Sequence, residues 1–251
     1  MNIPKNIFFF WDTLDIPNEA KLNIDNYRNN CKDYNVYVLN NDSINKYKDE
    51  FKEITKLFHL ATIAALKADI IRLIFLYKEG GMWLDMNTTL IDLNGIDKLF
   101  ERYKEYDFVT TIQPDYKNDL KTSCLISKPN SKLAYDSIIK ITENLKKHYE
   151  AEKKSTKYIQ YNFFLWVAPV VFYQLLEYKY DDNYRKKINN EFIKKDNNII
   201  SLKSKKFKEY KCGLMDVRKI LKFYGCNMTH HHGINSHKHW SKIQKHKKLF
   251  K

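Results

Sequence analysis

Apolar positions in this chain fall into short continuous runs that alternate with longer blocks of helical character. Ile7 to Trp11 reads IFFFW, and a run of that length predicts a strand buried on both faces, over residues 6–11. A polar helix is expected at residues 18–30, and an alternating strand at 35–39. Asp42 is placed to cap the next helix. Residues 60–78 are apolar nearly all round and rich in helix formers, which predicts a helix in the core that Gly80-Gly81 brings to an end. MWLDM then reads as a short buried strand, after which the chain bends away through Asn87, Thr88 and Thr89. Further strands are expected at 107–112 and 123–127. A long helix covers about 131–150, an apolar helix follows Pro169, and a strand falls near Ile199-Ile200 within a basic, polar stretch. Alternating strands and helices predict an α/β fold with a mainly parallel sheet. Ligands of such sheets bind at the carboxyl ends of strands, which is where Asp85 falls.

Composition narrows the class. The chain has 251 residues, enough for one domain with a small addition, and no internal repeat or low-complexity linker divides it. Lys and Arg outnumber Asp and Glu by 44 to 30, giving a formal charge of +14 that attracts phosphates. Part of that excess belongs to a Lys-, Asn-, Ile- and Tyr-rich composition of the kind an AT-rich genome produces. The cysteines at 31, 124, 212 and 226 form no C-x-x-C pair and read as reduced thiols. The apolar run at the start is too short for a signal peptide or a membrane span, so a cytoplasmic location is expected.

Three groups of residues can carry chemistry. Asp69 and Arg72 interrupt the apolar helix three positions apart, on one face. They read either as an internal ion pair or as ligand-holding groups in a polar cleft. In the second reading the carboxylate accepts from ribose hydroxyls and the guanidinium grips the donor as a planar fork. Asp85 and Asn87, alternate residues at a strand end, can aim two oxygens at one hard cation, although Asn87 can equally form a turn by itself. The run THHHGINSHKHWSK, from Thr229 to Lys242, places five histidines within ten residues. It reads as a solvated loop, an adventitious metal binder, or a site where a neutral imidazole completes the shell of Mn²⁺. Gly233 lets backbone approach a phosphate closely, and Ser236, Lys238 and Trp240 offer it a hydroxyl, a cation and an indole N–H.

Together these pieces resemble the DXD sugar-binding glycosyltransferases of glycosyltransferase family 32. The family pattern A-D-x-x-R followed by Y-x-G-G-x-Y-x-D-x-D is met here by Ala68, Asp69, Arg72, Tyr77, Gly80, Gly81, Trp83, Asp85 and Asn87. The opening IPKNIFFFW is similar to the family's first strand, VAPVVF to its T-G-P turn, and His231-His232 with Ser236 to its H-H-x-x-x-S-W ending. A second alignment, to the H-x-x-G…K-x-W ending of related galactosyltransferases, selects His230, Gly233 and Lys238. The chain departs from the pattern at Asn87, where the family has a second acid, and at His237, where it has Trp.

The resemblance implies a GT-A fold over residues 1–240, with 241–251 as a basic tail. It also implies a retaining transfer of a hexose from a nucleotide-diphosphate sugar, UDP-linked by preference, to a glycan or lipid-linked acceptor. Mn²⁺ or Mg²⁺ would be held by Asp85, Asn87 and His230 or His231. The donor would be held by Trp11, Asp69, Arg72, Gly81, Asp85, Gly233, Ser236, Lys238 and Trp240, with Asp85, Asp69 and Arg72 at the reacting centre. The stretch from Lys238 to Lys251, which mixes cations with Trp, Ile, Leu and Phe, reads either as a peripheral membrane contact at the inner face or as a frayed terminus. Two other functions fit parts of the sequence. A polyanion-binding module accounts for the charge but not for the central block, so no nucleic-acid partner is expected. A nucleotide-sugar binder without activity accounts for Asn87.

Overall fold

The computed structural model describes residues 2–113, 119–178, 199–200, 205–223, 240–245 and 247–251. The IFFF run forms β1 (Asn6–Phe10), with Ile7 and Phe9 packed into one core and Phe8 and Phe10 into another. This two-sided burial is why the segment reads as unbroken apolar sequence. The helix α1 (Asn18–Asn30) leads to β2 (Asn35–Leu39), which pairs parallel with β1. A 3₁₀ turn (Ser43–Tyr47) and α2 (Lys52–Leu60) precede α3 (Ala64–Glu79) and β3 (Gly81–Leu84). Then come β4 (Thr88–Leu90), α4 (Ile96–Tyr103), β5 (Phe108–Gln113), β6 (Asp119–Ser127) and the long α5 (Lys132–Lys154). A second 3₁₀ turn (Phe163–Trp166) and α6 (Val170–Leu175) follow. The remaining described elements are β7 (Ile199–Ile200), α7 (Lys205–Glu209), β8 (Cys212–Asp216), α8 (Val217–Ile220), β9 (Leu221–Phe223) and α9 (Trp240–Ile243).

The main sheet has the order β2-β1-β3-β6-β5-β8-β7. Strands β2, β1, β3, β5 and β8 share one direction while β6 and β7 run against them, so the sheet is mixed and mainly parallel. This is the α/β architecture the sequence predicts. Helices α2, α3, α5 and α6 cover one face, and α1 and α4 the other. The chain leaves β1 for β2 on one side and returns to β3 on the other. Such a reversal opens a crevice at the carboxyl ends of β1 and β3.

Three sequence expectations need correction. The helix expected over residues 60–78 begins at Ala64 and is separated from α2 by an extended step at Ala61. The backbone there pairs with the chain end: Thr62 donates to Leu249 O at 2.9 Å, and Lys251 donates to Leu60 O at 3.0 Å. Asp42 makes no side-chain cap. Asn40 Oδ1 accepts from the amides of Asp42 and Ser43 instead, because it lies two residues earlier, where both N–H groups point. The apolar tail residues Leu249 and Phe250, read as membrane-facing or frayed, are buried in the core. Glu152 Oε1 and Oε2 accept their amides at 2.9 and 3.1 Å, and His148 meets the same carboxylate at 3.0 Å. Among the described residues no helix is long and apolar enough to cross a membrane, and the described cysteines, Cys31, Cys124 and Cys212, are free and buried.

Candidate functional site

The crevice at the ends of β1 and β3 is a cleft of about 550 Å³, within the range of about 300–1,000 Å³ usual for small-molecule sites. Trp11 and Asp12 follow β1, Asp69 and Arg72 project from α3, and Asp85 and Asn87 follow β3; all six line it. Four helical positions of α3 separate Ala68 from Arg72, so the guanidinium folds back over its own helix and donates from Nε to Ala68 O at 3.1 Å. Its Nη1 donates to Thr122 O on β6 at 2.7 Å. Nη2 lies 3.0 Å from Asp69 Oδ1 and 3.5 Å from Asp85 Oδ1. The guanidinium also stacks over the Trp83 ring, 5.1 Å from its centroid. Asp69 and Arg72 thus form the internal ion pair of the first reading, and that pair lines the cleft.

Asp85 is held from three sides. Its amide donates to Ser123 O at 2.9 Å, its carbonyl accepts from Thr88 N at 2.9 Å, and its Oδ1 accepts from Trp83 Nε1 at 3.0 Å. The described hydrogen bond and ion pair of its side chain both fall on Oδ1. Asn87, two residues on, is exposed at the cleft, and its Oδ1 accepts from Thr88 Oγ1. Burial pushes the Asp69 carboxyl up from 3.8 to about 7; Arg72 opposes the shift and Asp85 adds to it.

One supporting residue escaped the sequence reading. Asn23, buried on α1, donates from Nδ2 to Met86 O at 3.1 Å and to Thr88 O at 3.0 Å, which ties the turn carrying Asp85 and Asn87 to the helix. The signal was present: Asn23 is the polar residue on the face that buries Ala20, Ile24 and Tyr27. Asp12 was missed because nothing in its local pattern marks it. Trp11 lines the cleft, and its indole N–H is engaged with Thr13 Oγ1 and Asp15 O, both at 3.0 Å. Gly81, assigned to the donor by resemblance, does not line the cleft. It opens β3 at the strand end away from Asp85, where φ is 115° and a Cβ would lie 2.5 Å from Asn6 O, so its glycine serves strand packing. His230, His231, His232, Gly233, Ser236 and Lys238 lie outside the described residues, as does the side chain of Trp240.

The donor set suits a hard cation. Asp85 and Asn87 supply two oxygens at one turn. Mg²⁺ characteristically takes one or two carboxylates and completes its shell with substrate phosphate and water. Among the described residues no group of three or more His, Cys, Asp or Glu side chains forms a closed metal cage.

Residues 17–104, from the start of α1 through the end of α4 and including Asp69, Arg72, Asp85 and Asn87, match the family model of the glycosyltransferase sugar-binding region containing DXD motif. The match supports a DXD-type glycosyltransferase and, in general terms, glycosyl transfer. No curated protein matches the chain by sequence. Among solved structures the chain is similar to PaToxG glycosyltransferase, at 16% identity and a TM-score of 0.48 over 75% of this chain and 74% of that one. It is also similar to the glycosyltransferase GlyE of Streptococcus pneumoniae TIGR4, at 13% identity and a TM-score of 0.36. That alignment covers 73% of this chain and 46% of GlyE, so the chain spans less than half of GlyE's length. The apo form of GlyE gives 14% identity and a TM-score of 0.34.

Proposed function

We propose that the protein transfers a hexose from a UDP-linked donor to an acceptor hydroxyl with retention of anomeric configuration, in the synthesis of a surface polysaccharide or glycoconjugate. The observation that carries the reading is the meeting of Asp69, Arg72, Asp85 and Asn87 in one cleft at the carboxyl ends of β1 and β3. Asp85 and Asn87 would hold Mn²⁺ or Mg²⁺, which when bound neutralises charge developing on the departing diphosphate. Trp11 offers an aromatic edge to the base. Asp69 accepts from ribose or sugar hydroxyls, and Arg72, held in place by Thr122 and Ala68, keeps the Asp85 carboxylate oriented.

In this proposal the acceptor oxygen bonds to the anomeric carbon on the face from which the diphosphate leaves. The carbon–oxygen bond to the diphosphate breaks, and the acceptor proton passes to the freed phosphate oxygen. No protein base is required. His230 or His231 as a further metal ligand, and Gly233, Ser236, Lys238 and Trp240 around the diphosphate, belong to the same proposal.

Donor binding tests it. Native protein should be thermally stabilised by UDP-hexose with Mn²⁺ and hydrolyse the donor slowly without acceptor, since a ligand that binds only the folded state raises its stability. No stabilisation by any nucleotide sugar, with or without metal, would reject the proposal. Stabilisation without hydrolysis or transfer would favour a binding protein without activity, which Asn87 in place of a second acid makes a specific alternative.

A further inference from the structure

A second hollow, of about 780 Å³, opens beside the cleft and meets it at Asp85, Thr122, Phe164 and Pro169, which line both. The first cleft holds Asp12, Asp69 and Arg72 among its apolar side chains. The second hollow has Leu120, Phe164, Leu165, Val170, Tyr173 and Tyr178 for most of its wall, with Gln113, Lys121, Ser123 and Gln174 between them. Its aromatic wall is held rigid. Tyr173 and Tyr178 stack at 5.4 Å with their planes 16° apart, and the Tyr173 hydroxyl accepts the Leu120 amide at 2.9 Å. The apolar lining runs out to the surface, where Phe164 is 38% and Leu165 52% exposed.

We infer that this hollow takes the hydrocarbon part of an amphiphilic acceptor, with the acceptor's reacting hydroxyl presented at Asp85; the inference rests on the transfer reading above. A free oligosaccharide would set some of its hydroxyls against the hydrocarbon of this wall without partners, at a cost that an alkyl chain does not meet. A hydrocarbon chain has no such groups, and it can follow the lining from Asp85 to the open rim at Leu165. The formal charge of +14 suits an acceptor displayed on an anionic surface.

The test is direct binding of methyl, hexyl and octyl β-glucosides to the full chain, below their micellar concentrations, by ligand-observed NMR. Each methylene that enters the hollow should tighten binding about fourfold, until the chain reaches the rim. Leu165→Asp should weaken octyl glucoside about tenfold and leave methyl glucoside unmoved. Leu22→Asp, on an exposed leucine of α1, should change neither. Affinity independent of chain length, equal loss with Leu22→Asp, or preferential binding of a free glycan or a tyrosine-bearing peptide would overturn the inference. Binding of UDP with Mn²⁺ is measured on the same samples. Donor binding without a chain-length dependence removes this inference alone. A chain-length dependence without donor binding leaves the apolar site standing and removes the transfer reading.

Discussion

Replacing Arg72 by Leu isolates the energetic centre of the cleft. Arg72 is 4% exposed and Asp69 8%. Removing the cation leaves the Asp69 carboxylate buried without its partner at 3.0 Å and takes the Nη1 donor from Thr122 O. Breaking one side of a buried pair costs about 3–5 kcal/mol. Asp69→Asn alone keeps an oxygen for Arg72 and removes the charge, so its cost should be about 1 kcal/mol, that of a weakened hydrogen bond. In the double variant no buried anion remains, and its cost should fall short of the sum by at least about 2 kcal/mol.

The pH dependence gives a second handle on the same pair. Burial raises the Asp69 carboxyl to about 7 against an ordinary 3.8. Between those values the folded state binds the proton that the unfolded chain releases. Native stability from this group therefore falls as pH rises from about 4 to about 7 and levels off above. Asp69→Asn should remove that slope, and the penalty of Arg72→Leu should be smaller at pH 5 than at pH 8. Urea unfolding at both pH values, read by tryptophan fluorescence, measures all of these. Additivity of the two substitutions within about 0.5 kcal/mol, or an Arg72→Leu penalty independent of pH, would refute the reasoning.

Further outcomes follow from the neighbouring geometry. Asp85→Ala should abolish metal-dependent stabilisation by UDP-sugar while lowering the unfolding free energy by only about 1–2 kcal/mol, because it removes a half-exposed carboxylate but strands the buried Trp83 N–H; a melting series with and without donor separates the two effects. Asn23→Leu should leave the carbonyls of Met86 and Thr88 unpaired, cost about 2–3 kcal/mol by chemical denaturation, and raise the donor dissociation constant although Asn23 does not line the cleft. Gly81→Ala should destabilise the fold by at least about 2 kcal/mol, since an alanine at φ 115° is strained and its Cβ meets Asn6 O; unchanged urea stability would contradict the structure at this turn.

The sequence by itself determined most of the elements and the strand end at which the candidate site residues fall. IFFF reads as a strand with both faces covered, because four successive apolar side chains in so short a run suit a doubly covered strand better than a helix, which needs greater length. The run ending at Gly80-Gly81 had to be a buried helix, and Asp85 had to fall at a strand end. Tertiary structure decided the partners. The step at Ala61 has no local cause, since neither Gly nor Pro breaks that run; it arises because the backbone of Leu60 and Thr62 pairs with Lys251 and Leu249 at the far end of the chain. The reversal of β6 follows from the five residues that separate it from β5, too few for a parallel crossover. Burial of Leu249 and Phe250 depends on the Glu152 carboxylate, and Asn23 on α1 becomes the brace of the Asp85 turn only once α1 packs over β4. Periodicity records how much of a residue is buried, because the solvent acts on each segment separately. Which atoms it is buried against is fixed by contacts distant in sequence, and those exist only once the chain has folded.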